Sequence, residues 1–380
     1  MTKYTSRRAA LGAALGFLAP KAFANDAGVS PREVLFGQSA VLSGPLGVSV
    51  QGYNAGAQLA FDEANASGGV AGRRISLLTL DDGLAADRAA ANYKSLLAER
   101  GVFGFFGAVG SGTTAAAVPL LRESNAPLIG NFALSDAVRE QAAGQAYFVR
   151  ATYGREAARL MQHLATIGIQ RLALAHLDNP GGVEVLGLVR AAAQQAGTGI
   201  SVVAAAAVRN DGSNLVQAAQ QLGAAKAQAL LMFLSGPPVA QLMRALDEAG
   251  ASPACYGMSV VAGDAVAKTL GDKLRGLAIA QVMPYPWSEL DATARQYRAA
   301  CAKAQVPVAY HTYEGYLNAL VLLEGLRRCG RALSRSALHE QMRSLRSRIA
   351  GIDIDFNGRQ HTGSRFVELV HVTQQGRYIR

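Results

Sequence analysis

The chain has 380 residues, half of them apolar, with 37 basic and 27 acidic side chains and a formal net charge of +10. The basic excess is spread along the chain and nowhere interleaves with aromatic residues, which argues against a nucleic-acid surface. The length exceeds one ordinary hydrophobic core, so two domains are expected.

The N-terminus reads as a targeting segment. Arg7-Arg8 precede an apolar run from Leu11 to Ala19, and Ala22-Phe23-Ala24 supplies a small-x-small cleavage site. Charged, apolar and cleavage regions in that order make a secretory signal over residues 1–24, cut near Ala24. The arginine pair after Ser6 resembles a twin-arginine signal, with the general secretory route as the alternative. The run is too short to span a bilayer, no other apolar stretch nears 18 residues, and no Cys follows the cleavage site to take a lipid. Losing residues 1–24 removes Lys3, Arg7, Arg8 and Lys21 and no acid, leaving a net charge of +6. Cys255, Cys301 and Cys329 are an odd number. One disulfide with a thiol left over is open, as are three buried thiols.

After this segment, strand and helix patterns alternate. Val34–Ala40 reads as a strand and Leu42–Gly47 as a loop. Tyr53, Ala57, Ala60, Phe61 and Ala64 share one helix face, which Ser67-Gly68-Gly69 ends. Strands follow at Ile75–Leu80, Phe103–Phe106 and Pro127–Gly130, a helix at Arg88–Arg100, and an extended piece at Tyr147–Arg150. The alternation restarts with a helix at Arg155–Ile167. Further strands are read at Arg171–Leu177, Ser201–Val208, Ala229–Leu234 and Ala278–Val282, and helices near Ser213–Leu222 and Pro238–Ala249. Ala292–Ala304, Tyr313–Arg328 and Ser336–Leu345 are helical. Strand-like pieces at Ile352–Phe356 and Arg365–Val372 are joined by Asn357-Gly358. Two runs of βα units predict an α/β fold of two doubly wound parallel-sheet lobes. Ligands bind such sheets outside the carboxyl ends of their strands. The turns at Ser43, Ser111, Phe132 and Ser235 lie there.

The stretch Gly104 to Thr114 concentrates the signal. An apolar strand runs into a turn with Gly107, Gly110 and Gly112, and a helix follows over Ala115–Leu121. Ser111, Thr113 and Thr114 are its N-cap candidates. A helix N-terminus with free amides and hydroxyls favours an anion. There is no Lys after the last glycine, so this is not a triphosphate loop, and the spacing misses GxGxxG. A carboxylate fits better. An ordinary strand-to-helix turn is the bland alternative.

No catalytic or metal motif stands out. The histidines (163, 176, 311, 339, 361 and 371) form no HExxH, and CxxC and GxSxG are absent. Asp81-Asp82 reads as a strand-end capping pair, and His176 as a structural histidine. No metal or cofactor is called for.

The order and spacing of several segments resemble one family. They are Leu42-Ser43-Gly44-Pro45, Ala64–Val70, Asp81-Asp82, the Gly107–Thr114 turn, Phe148–Tyr153, Tyr313–Tyr316 and Gly363–Val367. The chain resembles the type I periplasmic solute-binding proteins of ABC transporters, of the branched-chain amino-acid (Leu/Ile/Val) type, over residues 31–375. The resemblance implies two lobes joined by three crossovers, near 149–154, 280–286 and 350–362. Residues 31–149 plus 285–350 would form lobe 1, and residues 150–284 plus 351–380 lobe 2. It implies a periplasmic monomer that closes on a small ligand and delivers it to an inner-membrane ABC permease. A ligand-sensing subunit for a membrane receptor or kinase is the alternative, and an enzyme on the same scaffold a remoter one.

Position by position, the resemblance makes Ser111 the holder of a ligand carboxylate, with Gly112 and Thr113 as further donors. Ala133 and Ser135 would offer a carbonyl and a hydroxyl. Phe132 and Tyr153 would wall the pocket, and Ser43, Ser235 and Ser259 would stand at neighbouring strand ends. Family members that bind α-amino acids set acids near the ligand ammonium. Here Gly154-Arg155 and Met258-Ser259 occupy those places. An unpaired buried ammonium is costly, so leucine or valine is not expected as the main ligand. An organic or aromatic carboxylate or a neutral amide-like solute is expected instead. Arg155 would hold a second carboxylate, unless it is solvated and Glu156, one residue on, serves as the acid.

Overall fold

The computed structural model describes residues 26–195, 197–358 and 360–380. The signal segment read at 1–24 lies outside the described residues. In chain order the first run is β1 (Glu33–Ala40), α1 (Gly44–Ala66), β2 (Arg74–Asp81), α2 (Ala86–Ala98), β3 (Gly104–Val109), α3 (Ser111–Ser124), β4 (Leu128–Phe132), α4 (Asp136–Gln141) and β5 (Ala146–Tyr147). These strands form a five-stranded parallel sheet in the order β2-β1-β3-β4-β5. β3 and β4 are buried along their whole length, as strands covered on both faces must be.

The second run is α5 (Tyr153–Thr166), β6 (Arg171–Leu177), α6 (Pro180–Ala193), β7 (Ser201–Val208), α7 (Leu215–Ala224), β8 (Ala229–Phe233), α8 (Pro237–Glu248), β9 (Ala254–Gly257), α9 (Gly263–Leu270) and β10 (Leu277–Gln281). The chain then returns to the first lobe with α10 (Ala292–Ala304), α11 (Tyr310–Cys329) and α12 (Arg335–Arg343), α11 packing along α1. The tail adds β11 (Arg346–Ile349), β12 (Ile352–Asp355), β13 (Glu368–Val372) and β14 (Tyr378–Ile379). The second sheet runs β14-β13-β10-β9-β8-β6-β7, with β13 alone antiparallel to its neighbours β10 and β14. The fold is therefore mixed α/β, with two lobes built on mostly parallel sheets.

The α1–α11 contact shows why small residues are needed there. A Cβ on Gly56 would sit 1.7 Å from the Thr312 carbonyl oxygen, and one on Gly315 would sit 1.8 Å from that of Tyr53. Tyr53, buried on α1, stacks on Phe106 of β3 at 5.9 Å, and Phe61 meets the same ring edge-on at 5.3 Å. Strands of connecting chain run side by side between the lobes. Phe148 N donates to the His361 carbonyl at 2.9 Å, and Ser364 N donates to that of Val149 at 2.9 Å.

Several sequence expectations are corrected. The helix expected from Ala115 starts at Ser111, so its N-cap is Gly110, whose φ of 79° favours glycine, and Ser111, Thr113 and Thr114 lie inside the helix. The loop read at 42–47 gives way to helix from Gly44. The two tail strands beside Asn357-Gly358 do not pair with each other. β12 pairs antiparallel with β11 across a turn with positive φ at Ala350 and Gly351, whereas β13 extends the second sheet beside β10. β9, β11, β14, α4 and α9 escaped the pattern reading because they are short. All three cysteines are free. Cys301 is buried on α10, Cys329 ends α11, and Cys255 is on β9.

Candidate ligand-binding cleft

In each sheet the strand order reverses once, between β1 and β3 in the first and between β6 and β8 in the second. A crevice is forced open at such a reversal because the flanking connections leave to opposite faces. Both reversals open onto one cavity of about 380 Å³. The first lobe contributes Val41, Ser43, Leu84, Ser111, Gly112, Thr113 and Ala133. The second contributes Tyr153, Leu177, Asn179, Gly181, Asn210, Phe233, Ser235 and Val260. Among the described residues, no charged side chain lines it.

Two helix N-termini open onto the cavity. In α3 the first helical hydrogen bond is Thr114 N to the Gly110 carbonyl, 3.1 Å, so the amides of Ser111, Gly112 and Thr113 precede the ladder. Ser111 Oγ accepts from Ser135 N at 3.1 Å, which leaves its own proton to donate elsewhere. Thr113 Oγ1 instead donates back toward the carbonyls of Val109 and Gly110, so it offers its backbone amide only. Opposite stands the start of α6, where Asn179 Oδ1 caps Gly182 N at 2.9 Å. A Cβ on Gly181 would lie 3.3 Å from Ser111 Oγ, so the two helix starts nearly touch. Two positive dipole ends beside one uncharged cavity favour an anionic or strongly accepting ligand atom.

Loop carboxylates hold the walls. Asp81 Oδ1 accepts from Leu42 N and Gly83 N, each at 3.0 Å, and these bonds hold its carboxyl below the usual range. Asp82 is buried and accepts from Ser39 Oγ and Leu84 N, each at 2.8 Å, while burial pushes its carboxyl up. The pair thus caps the turns that carry Ser43 and Leu84. His176 Nδ1 lies 3.0 Å from the Leu177 carbonyl. Across the cleft, Glu184 Oε1 of α6 accepts from Asp136 N and Ala137 N of α4 at 2.8 and 3.0 Å. Asp136 in turn accepts from Tyr153 N and Gly154 N, each at 2.9 Å, at the start of α5. Each of these helix starts is capped by a carboxylate from another element.

Of the eleven positions singled out in the sequence, seven line the cavity: Ser43, Ser111, Gly112, Thr113, Ala133, Tyr153 and Ser235. Ser135 stands one layer back, at the N-cap of α4. Phe132 is buried behind the wall, edge-on to His311 at 5.0 Å. Arg155 is exposed on α5 and is not among the lining residues, so it is not placed to hold a second ligand carboxylate in the cavity. The inward positions of α5 are Tyr153, Glu156, Ala157 and Leu160, and that helical phase turns Arg155 outward. Ser259 and Glu156 are buried but face inward to a charge cluster rather than to the cavity.

Sequence reasoning missed that cluster. Arg150 is fully buried on the connection between the lobes, with Nη2 3.5 Å from Glu156 Oε1, Nη1 3.3 Å from Glu314 Oε1 and a hydrogen bond to Ser259 Oγ. Ser259 N and Oγ both donate to Glu156, at 2.8 and 2.9 Å. Burial raises the Glu156 carboxyl above its ordinary value, against the pull of Arg150 and Ser259. Burial likewise pushes Glu314 up to about 7. The guanidinium lies 5.7 Å from the Phe132 ring centre and 5.9 Å from that of Tyr153. The one sequence signal for this was the apolar phase of α5, which places Glu156 on the buried face.

A two-lobed α/β protein whose helix starts face each other across a crevice at two strand-order reversals is built to enclose a small molecule. Residues 33–377 match the family model described as periplasmic binding protein, and the chain belongs to that family. No protein with a curated function matches it in sequence. Among solved structures, a substrate-binding periplasmic protein from Ralstonia solanacearum is 26% identical, with a TM-score of 0.84 over 91% of this chain and 99% of that one. A branched-chain amino-acid ABC transporter protein from Thermus thermophilus, with bound valine, is 18% identical at a TM-score of 0.81, covering 92% and 96%. A solute-binding protein of an R. palustris ABC transporter, in complex with benzoate, is 15% identical at 0.80, covering 91% and 95%. The last two likenesses speak to the fold alone.

Proposed function

We propose that this protein is a periplasmic binding protein that captures a small organic carboxylate lacking an amine and delivers it to an inner-membrane ABC permease. The observation that carries the reading is the cavity itself: two helix N-termini open onto it and, among the described residues, no acidic side chain lines it. An ammonium group brought there would lose its hydration without gaining a counter-charge, whereas a carboxylate meets amides and the Ser111 hydroxyl. Leu84, Leu177, Phe233 and Val260 suit an aliphatic or aromatic body. That one relative of this fold holds benzoate and another valine supports a family in which the amine is optional. Binding works by closure: contacts from both lobes favour the closed form over the open one.

The test is native mass spectrometry of the protein as purified, followed by a thermal-shift screen of carboxylates with and without an α-amine. A ligand that binds only the folded state raises the melting temperature by mass action. The expected result is a shift with amine-free acids and compaction in small-angle scattering at saturation. A shift confined to leucine, isoleucine or valine overturns the ligand assignment, and unchanged scattering overturns the closure.

A further inference from the structure

The cavity and the charge cluster share walls. Tyr153 and Val260 line the cavity on one side. Behind them lie the Arg150 guanidinium, 5.9 Å from the Tyr153 ring centre, and Ser259, the residue before Val260. Two carboxylates stand in this layer, Glu156 and Glu314, and both are buried. Arg150 is the cation that pairs with both. Its Nε and Nη1 have no hydrogen-bond acceptor, nor does Glu314 Oε1 have a donor, so the ion pair is held by charge more than by good bonding geometry. The other buried arginine, Arg139, is spent elsewhere, on the carbonyls of Arg150 and Ala151 at 3.1 and 3.3 Å.

We propose that Arg150 is a specificity-determining residue: its guanidinium neutralises the carboxylates behind the cleft wall and so removes the counter-charge that an amine-bearing ligand would need. The inference rests on the ligand reading above and extends it to a residue outside the cavity. The physical argument is one of charge balance. A buried carboxylate without a cation is strongly disfavoured and draws in whatever cation can reach it. With Arg150 present, Glu156 is satisfied by the guanidinium and by both Ser259 donors. Without it, the carboxylates of Glu156 and Glu314 and the space of a guanidinium side chain lie behind Tyr153. The ammonium of an α-amino acid, whose carboxylate is held at the start of α3, becomes the cation that fills them.

The experiment compares matched pairs that differ only in the amine: leucine against 4-methylpentanoate, and phenylalanine against 3-phenylpropionate, by titration calorimetry. The wild-type protein is expected to favour the amine-free member. Arg150→Met is expected to shift the ratio of affinities toward the amino acid by at least tenfold. Because that variant leaves two buried carboxylates, Arg150→Met/Glu314→Gln is measured beside it; it leaves Glu156 alone with its Ser259 donors. Arg150→Lys keeps the charge and is expected to keep the wild-type preference, which a purely structural role would not require. A double variant that melts cooperatively and keeps the wild-type ratio overturns the role of Arg150. A wild-type protein that prefers the amino acid, or binds neither member, overturns the ligand reading and the inference together, and that result is visible in the wild-type titrations alone.

Discussion

Glu314 offers a prediction against the usual intuition that breaking an ion pair weakens a protein. It is buried on α11 with Arg150 3.3 Å away, and its other charged surroundings are Glu156 and Arg139. Burial dominates, and its carboxyl rises from 4.5 to about 7. A rise of that size is worth on the order of 3 kcal/mol between the two protonation states. The sign follows from proton binding. Below about 4.5 the folded and unfolded chains both carry the proton, and the protonated side chain is fully accommodated. Between 4.5 and about 7 the folded chain keeps a proton that the unfolded chain releases, so stability from this group falls as pH rises and is lost above about 7. Glutamine mimics the protonated form at every pH. Glu314→Gln should therefore melt close to wild type at pH 5 and above it at pH 8. At about 2–4 °C per kcal/mol for a unit of this size, the gain should be roughly 6–12 °C. His339, whose ring burial lowers to about 4, gains stability as pH rises, but it does so in both proteins and cancels in the difference. Scanning calorimetry of the two proteins from pH 5 to pH 8 reads the result directly. A difference that is flat with pH, or that turns against the glutamine at pH 8, would mean the carboxylate is favoured in the folded state and would refute the reasoning.

Other substitutions test the cleft and its frame. Ser111→Ala removes one hydroxyl donor to a bound carboxylate and should weaken the best acid of the screen about tenfold to a hundredfold, since hydrogen bonds to charged groups contribute roughly 1.5–3 kcal/mol; calorimetry showing less than a threefold loss would remove Ser111 from the site. Glu184→Ala leaves the cavity lining intact but deletes two bonds between the lobes, so affinity should fall several-fold and the unliganded protein should scatter as a more open particle. Gly56→Ala forces a methyl within 1.7 Å of the Thr312 carbonyl oxygen and should cost about 1–3 kcal/mol or more of the first lobe's stability in denaturant melts. Arg155→Gln, on an exposed position, should leave both affinity and melting temperature unchanged; a tenfold loss of affinity would return it to the site.

Much of this protein is dictated locally. The alternation of short apolar runs with helical periodicity needs only neighbouring residues, and so the βα units, the sheet class and the turns at strand ends were legible. Ser111 and Ser235 could be placed near a crevice because a strand end in such a sheet is where a crevice must form, whereas Tyr153 was placed there only through the family resemblance. Strand partners are another matter. Ile352–Asp355 and Glu368–Val372 read as tail strands, yet nothing within them says that one pairs with β11 and the other with β10, because pairing is settled by which edge is free after the rest has packed. The charge cluster is the extreme case. Glu156 binds Ser259 and Arg150 meets Glu314 across separations of more than a hundred residues, and only the meeting of two lobes brings them within hydrogen-bonding distance. Arg150 and Arg155 are five residues apart and chemically alike. One is sealed between the lobes and the other faces water because α5 begins between them, and the hydrophobic phase of that helix sets which way each element turns. The sequence alone could say that a cleft exists and roughly which loops line it. Which charges stand behind its wall, and whether they are already neutralised, was decided by the tertiary packing.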